Sequence, residues 1–443
     1  MAAQKSTAIV KLHPKLAKWK GLVEKRSNVP LDDVIVQPSF KVECINTGST
    51  VLNILIGGSR LPDGSFVCPG YPKGRIIEIY GRESSGKSTV ALTAMGQAVS
   101  SPSAAGLYVD LEHAVVDAYA MKLGVDFRPP ELGGNGRAIR VAPHTFEETQ
   151  ALVDGAALSG VDLIVIDSVA GLVSKREAQR DVTDEKQKLG VAEIPRLMSQ
   201  WMPKLQSIIA KTGTTVIFLN QTRDKIGAMG YTEEALKSTT GGNALKFWAS
   251  LRWMLKPKQV AKAKIWNPLL KEHEEVPIAT DIEVKNIKNK MDARQGHSGL
   301  ITIRYGVGID EMRTMMNIAT AYDIVKKSKN AKKQEVFTYK SPGSGQVIEE
   351  IGIEKFRSAL QSNRAMMDEM MSLCTDRIIQ GFRAIDDAAL AKLAEDAVTT
   401  KVEDPHDDDY DDSGDPANQV DPSEMGIEVD GTVSSPSIDA SDL

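Results

Sequence analysis

The apolar positions of this chain change period several times, and each change predicts an element. Arg75 to Tyr80 is a short apolar alternation that reads as a strand. Thr89 to Val99, rich in Ala, Leu, Met and Gln, reads as a helix. Gly106–Asp110, Val161–Asp167 and Thr214–Asn220 are further strands. From Asn46 to about Asp310 strands and helices alternate, which predicts an α/β fold with a mostly parallel sheet. Ahead of it, Leu12, Leu16, Trp19 and Leu22 recur at helical spacing, and Asp32–Val36 looks like a short strand. This helix and lone strand have no partner within their own segment, so they pack either on the core or on a neighbouring subunit. Behind the core, Met312–Val325 and Lys355–Ile379 read as helices, the second with Met366, Met367, Met370 and Met371 on a core-facing side. Between them Lys326, Lys327, Lys329, Lys332 and Lys333 form a basic cluster, either a solvated surface or a duplex-DNA patch. The expected divisions are an arm over 1–45, a core over 46–310, a small α+β domain over 311–400 and a disordered acidic tail over 401–443.

Between the first strand and its helix lies Gly81-Arg82-Glu83-Ser84-Ser85-Gly86-Lys87-Ser88, which fits G-x-x-x-x-G-K-[ST]. Strand, glycine loop and helix together make a phosphate cradle, because the loop and helix-start N–H groups point inward. Lys87 would reach the β/γ-phosphates of a nucleotide, and the Ser88 hydroxyl would ligate Mg²⁺. Ligands in such sheets sit at the carboxyl ends of strands. Glu112, Asp167 and Gln221 all fall at such ends, so one site could collect them. Asp167 has the form of an acid that holds Mg²⁺. Glu112 could deprotonate an attacking water, and Gln221 could sense a γ-phosphate and pass its presence to the following loop. Each also has a plainer reading, as a helix cap, a solvated carboxylate or an uninformative amide. Two stretches, Arg176–Lys188 and Thr222–Thr240, read as mobile loops with Arg196, Arg223 and Lys225 beside them. Amides, hydroxyls and a few cations suit a nucleic-acid backbone, although composition alone favours ordinary solvated loops.

Composition narrows the class. At 443 residues and 42% hydrophobic, the chain can bury a sizeable core. Its three cysteines, Cys44, Cys68 and Cys374, form no C-x-x-C pair, which fits a reducing compartment. No apolar run approaches the ~18 residues of a membrane span, and Met1–Lys20 has no signal-peptide core. The net charge of −5 hides an asymmetry: residues 402–443 hold 11 Asp and 3 Glu with no Lys or Arg, so the remainder carries +9. A basic body with an acidic tail suggests a polyanion partner and a segment that competes with it.

Lys73–Gly81 with Glu83–Lys87 closely resembles the bacterial RecA recombinase family. So do Asp110-Leu111-Glu112-His113-Ala114, Ile166–Ala170, Met198-Ser199-Gln200, Thr239–Phe247, Lys288-Asn289-Lys290 and Tyr305–Ile309, in family order over roughly 46–310. A weaker resemblance runs through Phe337–Lys340 to about Thr375. The resemblance implies a RecA-type P-loop ATPase core. It implies an ATP- and Mg²⁺-dependent strand-exchange protein that forms a helical filament on single-stranded DNA and also engages duplex DNA. Glu112 matches the family's catalytic glutamate, Gln221 its γ-phosphate sensor, and Gly81, Glu83, Ser84, Ser85, Gly86, Lys87, Ser88 and Thr89 its phosphate loop. Tyr119 matches the ring stacked on adenine, and Tyr305 and Gly306 the loop bordering it. Lys288 and Lys290 match a pair that reaches the neighbouring protomer's ATP site, and Phe247 an interface residue. Arg196, Ser199, Ile226, Gly241, Gly242 and Asn243 match DNA-contacting positions, with Arg223 and Lys225 beside them. The N-terminal helix and strand resemble the family's subunit-docking arm. The implied compartment is the cytoplasm, of a bacterium or, for a viral member, of the infected host.

The chain departs from the family at several points. Val116 stands where an aspartate usually contacts adenine, with Asp117 next to it as a substitute. Pro203 replaces a basic DNA contact, and Asp224 puts a negative charge where DNA phosphates would lie. Pro62–Pro72 looks like an insertion, and the second loop is long. Two other readings share the phosphate loop. A ring-forming DNA motor would not need Lys288 and Lys290 together with the Gly241-Gly242-Asn243 loop. A DNA-coating scaffold that barely hydrolyses ATP would not need Glu112.

Overall fold

The computed structural model describes residues 14–27, 41–61, 64–179, 193–224, 237–239, 242–292 and 294–399. The chain divides into two units, Met1–Asp386 and Asp387–Leu443; the second contributes only the end of helix Arg364–Thr399 to the described residues.

Two short strands, β1 (Cys44–Ile45) and β2 (Tyr71–Pro72), pair antiparallel. The ten-stranded main sheet uses β3 (Ile76–Gly81), β4 (Gly106–Asp110), β5 (Ala138–Val141), β6 (Leu163–Asp167), β7 (Thr215–Asp224), β8 (Lys237–Thr239), β9 (Leu251–Asn267), β10 (Glu272–Asn289), β11 (Ser298–Arg304) and β12 (Gly308–Ile309). Their order is β12–β11–β10–β9–β3–β7–β6–β4–β5, with β8 on β7. From β9 to β5 all neighbours run parallel. From β9 to β12 they run antiparallel. A separate antiparallel sheet follows, made of β13 (Val325–Lys329), β14 (Glu335–Lys340) and β15 (Val347–Ile351).

The central strands have no polar face because both faces are covered. Strand side chains alternate between faces. Ile77, Ile79, Leu163, Val165, Ile217 and Leu219 therefore pack with helix Lys87–Ala98. Ile76, Ile164, Ile166, Val216 and Phe218 pack on the other side with helices Phe146–Leu158 and Glu193–Thr212. The last of these buries Met198, Trp201, Met202, Leu205 and Ile209, a stripe at helical spacing. Trp201 anchors it, with edge-on ring contacts to Phe146 at 5.5 Å and Phe218 at 5.9 Å, and its indole N–H donates to Asp154 at 2.8 Å. Pro203 sits on the exposed side of the same helix.

Several boundaries differ from the sequence expectation. The expected Lys355–Ile379 helix is two helices, Ile353–Ser362 and Arg364–Thr399, because Asn363 turns its side-chain oxygen to the Met366 N–H as a cap. Met366 and Met370 are core residues, with Met371 packed against them. The expected Met312–Val325 helix ends at Ala321, since Val325 already belongs to a strand. Lys326, Lys327 and Lys329 lie exposed on that strand. The N-terminal helix runs Pro14–Ser27 and leaves Leu16, Trp19 and Leu22 about half exposed. The expected strand Asp32–Val36 and the acidic tail lie outside the described residues. Strand β9 reaches well past its pairing with β3, which ends at Leu255. Beyond the last β10–β11 pair, Ala279 with Arg304, β9 and β10 continue as a mostly exposed two-stranded ribbon.

Candidate nucleotide and nucleic-acid site

The phosphate loop leaves β3 at its carboxyl end and enters helix Lys87–Ala98 through Gly86, whose φ of 86° is left-handed. Gly86 is also needed for space, since a Cβ there would lie 2.5 Å from Ile303 Cδ1. At Gly81 a Cβ would meet the Leu255 carbonyl oxygen at 2.5 Å, so a side chain would push β3 and β9 apart. The Lys87 ammonium is turned onto the loop, donating to Arg82 O at 2.8 Å and Gly81 O at 3.3 Å. Burial lowers its proton affinity, while Asp167, Glu112 and Glu83 pull the other way. Ser84, Ser85, Gly86, Lys87, Ser88 and Thr89 line a pocket of about 450 Å³ together with Tyr119, Thr280, Ile282, Ile303, Tyr305 and Gly306. Such a size suits a nucleotide. The Ser85 hydroxyl is buried against this loop with no hydrogen-bond partner, as a group awaiting a phosphate oxygen would be. Thr89 and Tyr119 hydroxyls are 3.0 Å apart, and Lys122 Nζ donates to Gly306 O at 3.2 Å, tying the two tyrosine-bearing walls together. Glu83 is exposed beside this pocket, on the rim of a second cavity shared with Arg82, Thr222 and Lys256.

Strand register brings the distant acids to this loop. Asp110 and Asp167 are partners across β4 and β6. Asp167 Oδ2 accepts from Ser88 Oγ at 2.7 Å and from Tyr108 OH at 2.6 Å. Burial holds the Asp167 carboxyl above the usual carboxylate range, against the pull of those two hydroxyls. Ser88 and Asp167 thus form a hydroxyl–carboxylate pair whose oxygens fit a hard cation such as Mg²⁺. Asp110 accepts from the N–H groups of Ala114 and Val115 and so shapes the turn that carries Glu112. Glu112 is exposed, and its Oε1 accepts from Ser168 Oγ and from Gln221 Nε2, the latter at 2.9 Å. Tyr108 is a contributor that sequence reading missed, as are Ser168 and the pocket residues Thr280, Ile282 and Ile303. Strand alternation offers the signal, because Tyr108 pairs with Val165, two residues before Asp167, and so shares its face. Asp117, expected near a base, is held by Arg140 at 3.2 Å.

Lys288 and Lys290 are not in this pocket. Lys288 is opposite Arg252, which is opposite Glu78 on β3. That row lies three residues, or about 10 Å at ~3.3 Å per residue, below Gly81. Lys290 is lower still, its N–H donating to Ser250 O at 2.9 Å. Lys288 Nζ donates to Lys246 O at 2.7 Å and Phe247 O at 2.8 Å. Burial first, then Lys290 and Arg252, depress the Lys288 pKa. Phe247 projects 73% exposed beside the pair.

Of the expected DNA contacts, Arg196, Ser199 and Asn243 are exposed, and Gly242 packs on Pro195, where a Cβ would come to 2.9 Å. These four gather around the start of helix Glu193–Thr212. Arg223 lies on β7, with only its backbone described; Lys225, Ile226 and Gly241 fall outside the described residues.

A family model described as the RecA N-terminal domain matches residues 25–310. The chain is 38% identical over 335 residues to Protein RecA of Bifidobacterium longum, covering 75% of this chain and 72% of that one. It is 37% identical over 348 residues to Protein RecA of Campylobacter fetus, covering 77% and 85%. With Protein RecA of Streptococcus agalactiae it shares 36% identity over 335 residues, covering 74% and 76%.

Proposed function

This chain belongs to the RecA family of recombinases, DNA-dependent ATPases of recombination and repair, and from that premise we propose that it hydrolyses ATP within a helical filament on single-stranded DNA and exchanges strands with duplex DNA. The observation that carries the reading is the hydrogen bond from Gln221 to Glu112, at 2.9 Å. It joins the candidate base to the residue from which the chain enters the 222–243 stretch, where the resemblance puts DNA contacts. Occupancy of that stretch can therefore be felt at the hydrolytic centre.

In this reading Glu112 takes the proton of the attacking water, and Gln221 and Ser168 hold its carboxylate in place. Lys87 and the loop N–H groups oppose the charge that develops on the phosphates. Ser88 and Asp167 would hold Mg²⁺, which when bound would offset the negative charge of the phosphates. Tyr119 and Tyr305-Gly306 flank the base. Lys288 and Lys290, set away from their own chain's loop, serve a neighbouring copy's ATP across an interface that includes Phe247. The exposed apolar stripe Leu16, Trp19 and Leu22 supports an N-terminal docking arm over 1–45, ahead of a 46–310 core. The region 311–400, with Lys326, Lys327 and Lys329 exposed, would receive duplex DNA, and 401–443 would regulate access to it. Arg196, Ser199, Arg223, Lys225, Ile226, Gly241, Gly242 and Asn243 would grip the single strand. The protein would work in the cytoplasm. Phosphate release measured with and without single-stranded DNA tests the proposal. Strong stimulation is expected, and an equal rate in both would overturn it.

A further inference from the structure

Glu78 is a carboxylate in the central strand of the sheet, fully buried, in a run that is otherwise apolar. A buried carboxylate is costly unless its oxygens are taken by charged or donor partners. Here both are. Oε1 accepts from Asn220 Nδ2 at 3.0 Å, and Oε2 accepts from Arg252 Nε at 2.5 Å. Asn220 and Arg252 are themselves buried, and the Arg252 guanidinium lies over the Tyr80 ring at 5.0 Å.

The two partners lead in opposite directions. Asn220 Oδ1 accepts from the Gln221 N–H at 2.9 Å, and the Gln221 side chain donates to Glu112. Arg252 is register partner of Lys288, so Glu78, Arg252 and Lys288 form one row across β3, β9 and β10. Two cations, Arg252 and Lys288, stand side by side there with Lys290 close by, and Glu78 opposes their charge.

We infer that Glu78, Asn220 and Arg252 are positioning residues that link two ATP sites. Through Gln221 they bear on the protomer's own hydrolytic centre, and through Lys288 they bear on the one it completes in its neighbour. This rests on the proposed in-trans role of Lys288 and Lys290. None of the three lines the phosphate-loop pocket, and each acts by fixing a backbone or side chain that bears on it. A misplacement of about 1 Å far from the reacting atoms can cost on the order of 100-fold in rate, so a buried hydrogen-bonded row is an effective place to set that geometry.

The test uses full-length protein on single-stranded DNA. Glu78→Gln keeps size and one acceptor oxygen but removes the charge; Asn220→Ala removes the other arm. For each single variant kcat should fall about 10-fold or more, with KM for ATP within about 2-fold, since the variant's own pocket lining is untouched. The double variant should be little worse than the worse single one, because the two act through one network. Filament assembly and melting temperature are read on the same samples, and kcat is expressed per assembled site. Wild-type kcat per assembled site, or deficits that multiply in the double variant, would overturn the inference and leave these residues a purely structural role. Failure of the wild type to hydrolyse ATP on DNA would instead overturn the parent reading. If Glu78→Gln does not assemble, Arg252→Lys, which keeps the charge but loses the planar donor fork, carries the same expectation.

Discussion

Replacing Glu112 by glutamine separates catalysis from folding more cleanly than any other change at this site. The side chain keeps its length and a carbonyl oxygen able to accept from Ser168 and from Gln221, the two groups that hold Oε1. Glu112 is exposed, so no buried charge is relieved or created. Stability should change by no more than about 0.5 kcal/mol. Loss of a general base, by contrast, lowers turnover by about 10²- to 10⁴-fold, or roughly 2.7–5.4 kcal/mol at ~1.36 kcal/mol per tenfold. The assay is phosphate release at saturating ATP and single-stranded DNA, with nucleotide and DNA binding followed separately by fluorescence. Both bindings should persist while turnover collapses. Lys87→Ala is the contrast: it removes the ammonium that faces the loop carbonyls and should weaken nucleotide binding as well. Near wild-type turnover in Glu112→Gln would remove Glu112 from the role of base.

Further expectations follow from other parts of the molecule. Mixing Lys290→Ala with Glu112→Gln protein should restore part of the DNA-dependent hydrolysis, because some interfaces then pair an intact Glu112 site with an intact Lys290; co-assembly without recovery would refute a shared site. Burial raises the Asp167 pKa above its unfolded value, so its ionisation costs stability as pH rises from the ordinary carboxylate range through the raised value. Asp167→Asn should therefore raise the melting temperature of Mg²⁺-free protein at neutral pH while sharply reducing Mg²⁺-dependent hydrolysis; an unchanged or lowered melting temperature there would refute the first part. Residues 402–443 carry −14 against +9 on the rest of the chain. Their removal should raise duplex affinity at low Mg²⁺, with the gain shrinking as Mg²⁺ and salt rise; superimposable titrations would exclude a gating role.

The legible parts of the fold were those where one physical demand dominates a segment. A strand buried on both faces reads as a near-continuous apolar run, and Leu163–Ile166 and Val216–Leu219 are so. A phosphate loop must bring glycines, and Gly81 and Gly86 have no room for a side chain. The β9–β10 ribbon was not legible, because its outer half has no core to impose alternation. The break at Asn363 was hidden because helical periodicity resumes on either side of a single cap. Tyr108 was missed because its role depends on which face of β6 lies opposite, a tertiary fact. Glu78 was in plain view as one charge in an apolar strand. Its meaning appears only when Asn220 and Arg252, 142 and 174 residues further along the chain, arrive on either side.

In the proposed filament on DNA, ATP sites are shared between protomers. Negative-stain images of full-length protein with single-stranded DNA and a non-hydrolysable ATP analogue test it most directly. Continuous helical filaments are expected, shortened or lost when Phe247 is replaced by a charged residue. Closed rings, or isolated particles on DNA at saturating nucleotide, would contradict it.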